Sequence, residues 1–506
     1  MKILILSLQR LGDALQHLEL VERIKNQHRD AEIHLLVNDS VKIPGAMLGS
    51  INKVHYFPRT ELQMILTNRS VFILRAHKVI KETLQSLQNE KFTACYNLTH
   101  TQAAADLVNL LGITPSYGVG GDFENIWSTI LSETTNPVRS RLFQINDLLA
   151  YSTGLGRGAP KASHRPKGKK IILQPLTSDL KKNWGLKNFS ELFAELVAKH
   201  YDVSIIAADF ERKELESWFP EESIRVGNLN RAIEWLSEAS LLISGDTAIL
   251  HLAARLRVQS IGLYLGSGDV LQTAPLMNGP ALLYGNVDCY PCKHSAPCPK
   301  IKHFCAEALS VDRVLQTVEA QFSGVSVEGA AIVKRGYLDQ IVVRERTYVS
   351  FEREVQQFAF ASTLDQVSHP EVGSFALHLA EAFPELPEYL AKFDRELGKL
   401  ETQQQNLEKH FQKVQLHLSK SENFRQYAAE MMTVVAEFQI ENPTLGWDFF
   451  PLVEALSERQ LTNFLKLREI KRALEFLQKS RDTKARVLSQ LLQKAQTKER
   501  SNVQQF

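Results

Sequence analysis

Short apolar runs alternate with helical periodicity twice along this 506-residue chain, and that alternation limits the fold more than any other feature. From Ile3 an apolar strand leads into a tight turn at Gly12. A helix follows with Leu15, Leu18, Val21 and Ile24 three apart, then a second strand at Ile33 to Val37. A strand, a helix and a strand in that order form a βαβ unit, and its strands run parallel because the helix carries the chain back to the starting end. Runs at Val54 to Phe57 and Ala94 to Leu98 continue the pattern to about Tyr151.

"STGLGRGAPKASHRPKGKK", Ser152 to Lys170, interrupts the alternation with Gly, Pro and basic residues and reads as a linker. Its "GLGRG" is no dinucleotide loop, since no strand precedes it and Pro160 follows. Strand and helix signals then restart, from "KIILQP" through "SLLISGD" and "AILHLAARL" to "QSIGLYLG". The expected organisation is two doubly wound, parallel-sheet α/β domains at 1–151 and 171–322, the linker 152–170 between them, a connector at 323–346 and a helical extension at 347–506.

The extension holds only Gly373, Gly398 and Gly446 of the chain's 25 glycines. Leu390, Phe393, Leu397, Leu400, Gln404, Leu407, Phe411, Val414 and Leu418 alternate steps of three and four, as do Leu467, Ile470, Leu474, Leu477, Arg481, Lys484, Leu488 and Leu491. These seams predict two long coiled-coil-like helices in an antiparallel hairpin turning at Glu441 to Pro451, with self-association or docking of a larger partner as its role.

A net charge of +2 with 23% charged residues argues against nucleic acid as a partner. No stretch approaches the roughly 18 apolar residues of a membrane span. Gln9, Arg10 and Asp13 break the amino-terminal apolar run too early for a secretion signal. The expectation is a cytoplasmic protein, with peripheral membrane contact through Arg59, Arg69, Arg75, Lys78 and Lys81 weighed against a merely solvated helix.

Three motifs carry chemistry. "LISGDTAILHLAARL" puts Asp246 and Thr247 where a buried strand ends and a helix begins, a place suited to phosphate or simply to helix capping; His251 lies one turn further on. "PLTSDLKKNW" offers the hydroxyls of Thr177 and Ser178 with Lys181 and Lys182, either as an anion cradle or as a solvated loop. Four of the five cysteines, Cys289, Cys292, Cys298 and Cys305, stand in a C-x2-C-x5-C-x6-C pattern that could close round one tetrahedral ion, while Cys95 lies far upstream. A structural ion is expected there, with free thiols and disulfides as the alternatives. Asp13 admits two readings, a site carboxylate and a capping box with Gln16.

The combination of "PLTSDLKKNW", "LNRAIEWLSEASLLISGDTAILHLAARL" and "SIGLYLGSGD" with the cysteine cluster closely resembles the ADP-heptose glycosyltransferases of family 9. "ILILSLQRLGDALQHLELVERIK" resembles their amino-terminal signature. The resemblance spans about residues 1 to 320 and implies a GT-B fold, with two Rossmann-like domains facing across a cleft. It implies that Thr177, Ser178 and Lys182 bind the donor diphosphate and that Asp246, Thr247 and Ala248 meet the sugar and phosphates with His251 nearby. Family members usually carry glycine where this chain has Ala248. Asp13 matches the proposed general base, and the implied reaction is inverting transfer from a nucleotide sugar, ADP-heptose, to a lipopolysaccharide core or a protein. No catalytic metal is implied. A four-cysteine iron site in the autotransporter heptosyltransferase branch leaves iron and zinc both open here. Another GT-B enzyme, such as an epimerase or a transferase using a different donor, and a non-catalytic glycan- or protein-binding scaffold are the competing functions; the presence of Asp13, Lys182 and Asp246 together argues against the scaffold.

Overall fold

The computed structural model describes the chain apart from residues 68–72, 124, 126–127, 129–130, 132–142, 156–160, 163, 165, 167, 286, 288, 293–296, 299–301, 325–329, 336–340, 345–347, 366–368, 384–385, 418–462 and 504–506. Met1–Arg344 and Glu345–Phe506 form two compact units.

In the first unit, β1 (Lys2–Ser7), β2 (Glu32–Asn38), β3 (Lys53–Phe57), β4 (Ala94–Asn97) and β5 (Ser116–Gly118) make a parallel sheet in the order β3-β2-β1-β4-β5. Ile3, Leu4, Ile5 and Leu6 are fully buried on both faces of the central strand, as a sheet covered by helices on either side requires.

The second sheet contains β7 (Lys170–Gln174), β8 (Asp202–Ala207), β9 (Ile224–Val226), β10 (Leu241–Gly245), β11 (Ser260–Tyr264), β13 (Ala281–Tyr284), β14 (Ala331–Arg335) and β15 (Ile341–Arg344). Its order is β15-β14-β13-β11-β10-β7-β8-β9. The strands from β7 to β13 run parallel, whereas β14 and β15 join antiparallel at one edge. Ile171, Leu173, Ile243, Ile261 and Leu263 pack with Trp184, Phe189 and Leu192 in its core.

Two boundaries differ from the sequence reading. The connector 323–346 supplies β14 and β15; their short apolar runs, flanked by Lys and Arg, find a hydrogen-bonding partner only at the sheet edge. Within the linker 152–170, β6 (Lys161–Ala162) pairs with β12 (Met277–Asn278), Ser152 still belongs to the helix Ile145–Ser152, and Lys170 opens β7.

Both parallel sheets reverse their strand order once, between β1 and β4 in the first and between β7 and β10 in the second. At such a switch point the loops leaving the carboxyl ends diverge to opposite faces and open a crevice. The helices Leu11–Gln27 and Ala248–Arg255, which follow β1 and β10, pack against each other. They come close at Gly12, where a Cβ would fall 3.2 Å from His251 Cδ2 and 3.6 Å from Ala248 Cα. Arg255 pairs with Glu19 and Glu22, and Lys161 reaches the same two carboxylates at 3.3 and 3.1 Å. These contacts bring both switch points to one place.

The second unit is helical. Asn463–Val503 packs against Leu386–His417, as the heptads lead one to expect, and also against Tyr348–Asp365 and His369–Ala382, so the unit holds more than a two-helix hairpin. Leu390, Phe393, Leu397, Leu400, Gln404, Leu407 and Phe411 are buried, as are Leu474, Leu477, Lys484, Leu488 and Leu491. The expected turn at Glu441 to Pro451 lies outside the described residues, as do Leu418 and Arg69.

Candidate functional site

The joined switch points enclose a cleft of about 560 Å³. From the first sheet it receives the turn Leu8 to Asp13 after β1, with His100 and Thr101 after β4; from the second it receives Ser178, Asp179 and Lys182 after β7, with Asp246, Thr247 and Ala248 after β10.

Asp13 lies in the first turn of the helix Leu11–Gln27, where its Oδ2 accepts the Arg10 backbone N–H at 3.0 Å. It therefore does cap the helix, but as the third helical residue reaching back, and Gln16 is not its capping partner. Burial lifts the Asp13 carboxyl above the ordinary value of 3.8 and the charge of Asp246 adds to the effect, against the Arg10 N–H and the charges of Arg10 and Lys182. A carboxylate raised in this way is a stronger base than a solvated one.

Gln16 serves another purpose. Its Oε1 accepts from Gln144 Nε2 at 2.8 Å and from Asn146 Nδ2 at 3.0 Å, so its amide nitrogen is the end that faces His251 Nε2, at 3.1 Å. His251 consequently carries its proton on Nδ1, which has no hydrogen-bond partner among the described residues. Burial, with Lys182 acting in the same direction and Asp246 against it, pushes the His251 pKa down to about 4, so the ring is neutral.

On the opposite wall, Lys182 Nζ donates to Asp246 Oδ2 at 2.5 Å, and Asp246 Oδ1 lies 3.3 Å from Thr273 Oγ1 and 3.8 Å from His251 Nε2. Thr247 holds the N-cap position of the helix Ala248–Arg255, but its hydroxyl donates to Gln174 Oε1 at 3.0 Å, and the same oxygen accepts from Ser244 Oγ at 2.7 Å. The hydroxyl is thus spent on the strand ends, and the positive end of the helix dipole opens into the cleft. Ser178 is exposed in the cleft. Thr177 stands behind the wall, donating to the Asp179 carbonyl at 2.7 Å, with its methyl group against Gly245, where a Cβ would come within 2.9 Å of it.

Asp13, Ser178, Lys182, Asp246, Thr247, Ala248 and His251 therefore share one cleft. Sequence reading passed over Asp179, although its carboxylate accepts from Ser267 Oγ at 2.8 Å and from Lys181 N at 3.1 Å. Burial works against ionisation of Asp179, but those bonds and the nearby lysine charges outweigh it and keep the carboxyl below its ordinary value. It also passed over Gln144 and Asn146, for which no local signal exists because their partner lies about 130 residues away. Gln16 had one signal, an amide among the apolar residues of the helix's inner face.

None of the five cysteines forms a disulfide. Cys289, Cys298 and Cys305 lie close enough to Cys292 for their charges to join burial in raising its thiol pKa. Among the described residues, however, their sulfurs form no group of three mutually within 4.8 Å. Gly266 N–H donates to Cys305 Sγ at 3.4 Å, and at Gly285 a Cβ would fall 2.2 Å from the Cys305 carbonyl, so the backbone is folded tightly round this thiol. Four thiolates are the soft donors that zinc or iron takes.

Two doubly wound sheets, joined at their switch points round a cleft with Asp13 on one wall and the Lys182–Asp246 pair beside a helix amino end on the other, have the GT-B architecture of glycosyltransferases. Residues 80–301 match the model of glycosyltransferase family 9 (heptosyltransferase). No curated protein matches the chain. Among solved structures, it is similar to the Escherichia coli heptosyltransferase WaaC with ADP, at 15% identity and a TM-score of 0.47, over 63% of this chain and 100% of that one. A family 9 glycosyl transferase from Veillonella parvula DSM 2008 shows 12% identity and a TM-score of 0.49, over 64% and 97%. The iron-containing dodecameric glycosyltransferase TibC from enterotoxigenic E. coli H10407 shows 14% identity and a TM-score of 0.38, over 64% and 80%.

Proposed function

We propose that this protein transfers a sugar, heptose from ADP-heptose, with inversion onto a hydroxyl of a lipopolysaccharide core or of a protein. The observation that carries this reading is the placing of Asp13 opposite the Lys182–Asp246 pair in one cleft, within a chain that matches the family 9 model.

Asp13 removes the proton from the acceptor hydroxyl as the oxygen attacks the anomeric carbon from the side opposite the diphosphate. Bond breaking leaves negative charge on the departing phosphate. Lys182, Ser178 and the amino end of the helix Ala248–Arg255 lie where they can take up that charge without a metal ion. Thr177 supports the shape of the loop that presents Ser178 and Lys182.

A second cavity of about 530 Å³ extends along the second sheet, with apolar walls at Ile206, Ala207 and Trp235 and the carboxylate of Glu211 at its border. Its dimensions and mixed lining suit the adenosine part of the donor. Gln174 links the two spaces, since it lines this cavity and also holds Thr247 at the cleft.

A zinc or iron ion held by Cys289, Cys292, Cys298 and Cys305 would brace the loop beside Gly266 and has no step in the transfer. The helical unit would serve oligomerisation or acceptor docking. No described helix is long and apolar enough to cross a membrane; the proposed place of work is the cytoplasm, at the inner membrane face when the acceptor is a lipid.

The test is incubation of purified protein with ADP-heptose and with UDP- or GDP-sugars, followed by release of nucleotide and the mass of acceptor products. Release of ADP with a gain of one heptose in the wild type, lost in Asp13→Asn, supports the reading. Release from a different nucleotide sugar replaces the donor assignment, and turnover of none of them overturns the transferase.

A further inference from the structure

At the amino ends of the first sheet's strands, the end opposite the cleft, three ligand atoms from His34, His55 and Glu90 lie mutually within 4.8 Å. We propose that these residues bind a divalent transition-metal ion of the zinc type, with Glu32 as the outer partner that orients His34.

The sheet register creates the group. β2 and β3 run parallel with His34 opposite Lys53 and Leu36 opposite His55, so the two imidazoles stand on the same face of neighbouring strands. His34 is 1% exposed and His55 is half-buried, with Phe92 edge-on to both rings at 5.2 and 6.1 Å. The loop leading into β4 brings Glu90 to the same point.

The bonding prepares His34 as a ligand. Its Nε2 lies 2.7 Å from Glu32 Oε1 and its Nδ1 lies 2.9 Å from His55 Nε2. With the carboxylate holding the proton on Nε2, the Nδ1 lone pair is turned towards His55, the arrangement by which an outer carboxylate fixes tautomer and ring orientation in metal centres. Two imidazoles and a carboxylate form a donor set for zinc. Zinc to nitrogen distances of about 2.0–2.1 Å at a tetrahedral angle separate the two nitrogens by about 3.3 Å, so the rings need part by only a few tenths of an ångström.

Glu90 meanwhile pairs with Lys2 at 2.9 Å and with Lys53. Lys2 also approaches Glu32 at 3.8 Å. These ammonium groups neutralise Glu90 and would compete with the ion for its carboxylate. Lys53 is more than half exposed and can swing into water as the ion takes over the carboxylate. Bound there, the ion would tie β2, β3 and the lead into β4 together. It would be structural, because every residue of the transfer cleft lies at the carboxyl ends of the strands.

Cobalt(II) titration of the full-length protein separates this site from the cysteine loop, since thiolate ligands give a sulfur-to-cobalt charge-transfer band and imidazole with carboxylate gives only visible d–d bands. The wild type should show sulfur-free d–d bands that disappear in His55→Gln and Glu90→Gln while any charge-transfer band stays. Zinc should raise the melting temperature of the wild type more than that of either variant, and Glu32→Gln should weaken zinc binding at this site about 10- to 100-fold. Glu90 lies at the rim and its change to Gln keeps the side chain's shape, so that variant decides the matter if His55→Gln does not fold. Absence of sulfur-free bands in the wild type, or their persistence in folded Glu90→Gln, overturns the proposal.

Discussion

Lys182 Nζ lies 2.5 Å from Asp246 Oδ2, and Asp13 faces this pair from the other sheet's switch point. The carboxylate holds the lysine in position, and a donor diphosphate would replace or share that partner.

Lys182→Ala should therefore weaken donor binding and slow transfer, with a combined loss of roughly 10²-fold or more, as for other charge stabilisers of a leaving group. Isothermal titration with ADP and initial rates measure the two parts. Normal values for both would reduce Lys182 to a structural partner of Asp246.

Asp13→Asn should lower turnover about 10²- to 10⁴-fold with donor affinity retained. The wild-type rate should fall as pH drops through the raised Asp13 pKa, and the variant should lack that limb. Stability has the opposite sign. Since the folded pKa lies above the unfolded 3.8, the contribution of this group is present at acid pH and lost as pH rises through the folded value. The folded Asn variant should thus melt no lower than wild type at neutral pH, which calorimetry checks.

Gln16→Leu should destabilise the first unit by about 1–3 kcal/mol, because the Gln144 and Asn146 amides and His251 Nε2 each lose a buried partner. Gln16→Glu would add a buried charge and should cost more. Denaturant unfolding reads both. His251, with a folded pKa of about 4 against 6.5 unfolded, should stay neutral across the neutral range in an NMR titration; its stabilising contribution is lost as pH falls from 6.5 towards 4.

Elemental analysis of protein prepared without added metal should find about one iron or zinc ion per chain, and Cys292→Ser should release it and lower the melting temperature of the second sheet's domain. Four freely titrating thiols in folded, metal-free protein would remove the ion from this account.

A chain ending at Arg344 keeps β14 and β15 and should still bind ADP and use a small acceptor, while losing oligomerisation or activity on the natural one. Light scattering and transfer assays measure these. Loss of ADP binding by the folded fragment would show that the helical unit helps build the site.

The sequence alone determined the two α/β repeats, the position of Asp246 and Thr247 at a strand end, and the helical character of the tail, because each rests on the local period of apolar side chains or on the turn that ends it. The same local signals placed Asp13, Lys182 and the cysteine spacing. Tertiary structure decided what lies across a gap. Thr177 and Thr247 turned out to brace loops with their hydroxyls, Gln16 met His251 and Gln144, and the supposed connector became two sheet strands, since an edge strand is defined by the neighbour it bonds to. His34 and His55 read as ordinary strand residues, and only the register of β2 on β3 brings their nitrogens to 2.9 Å. Periodicity is set by bonds between near neighbours in the chain, whereas these meetings depend on how separate elements pack, and no local pattern records that.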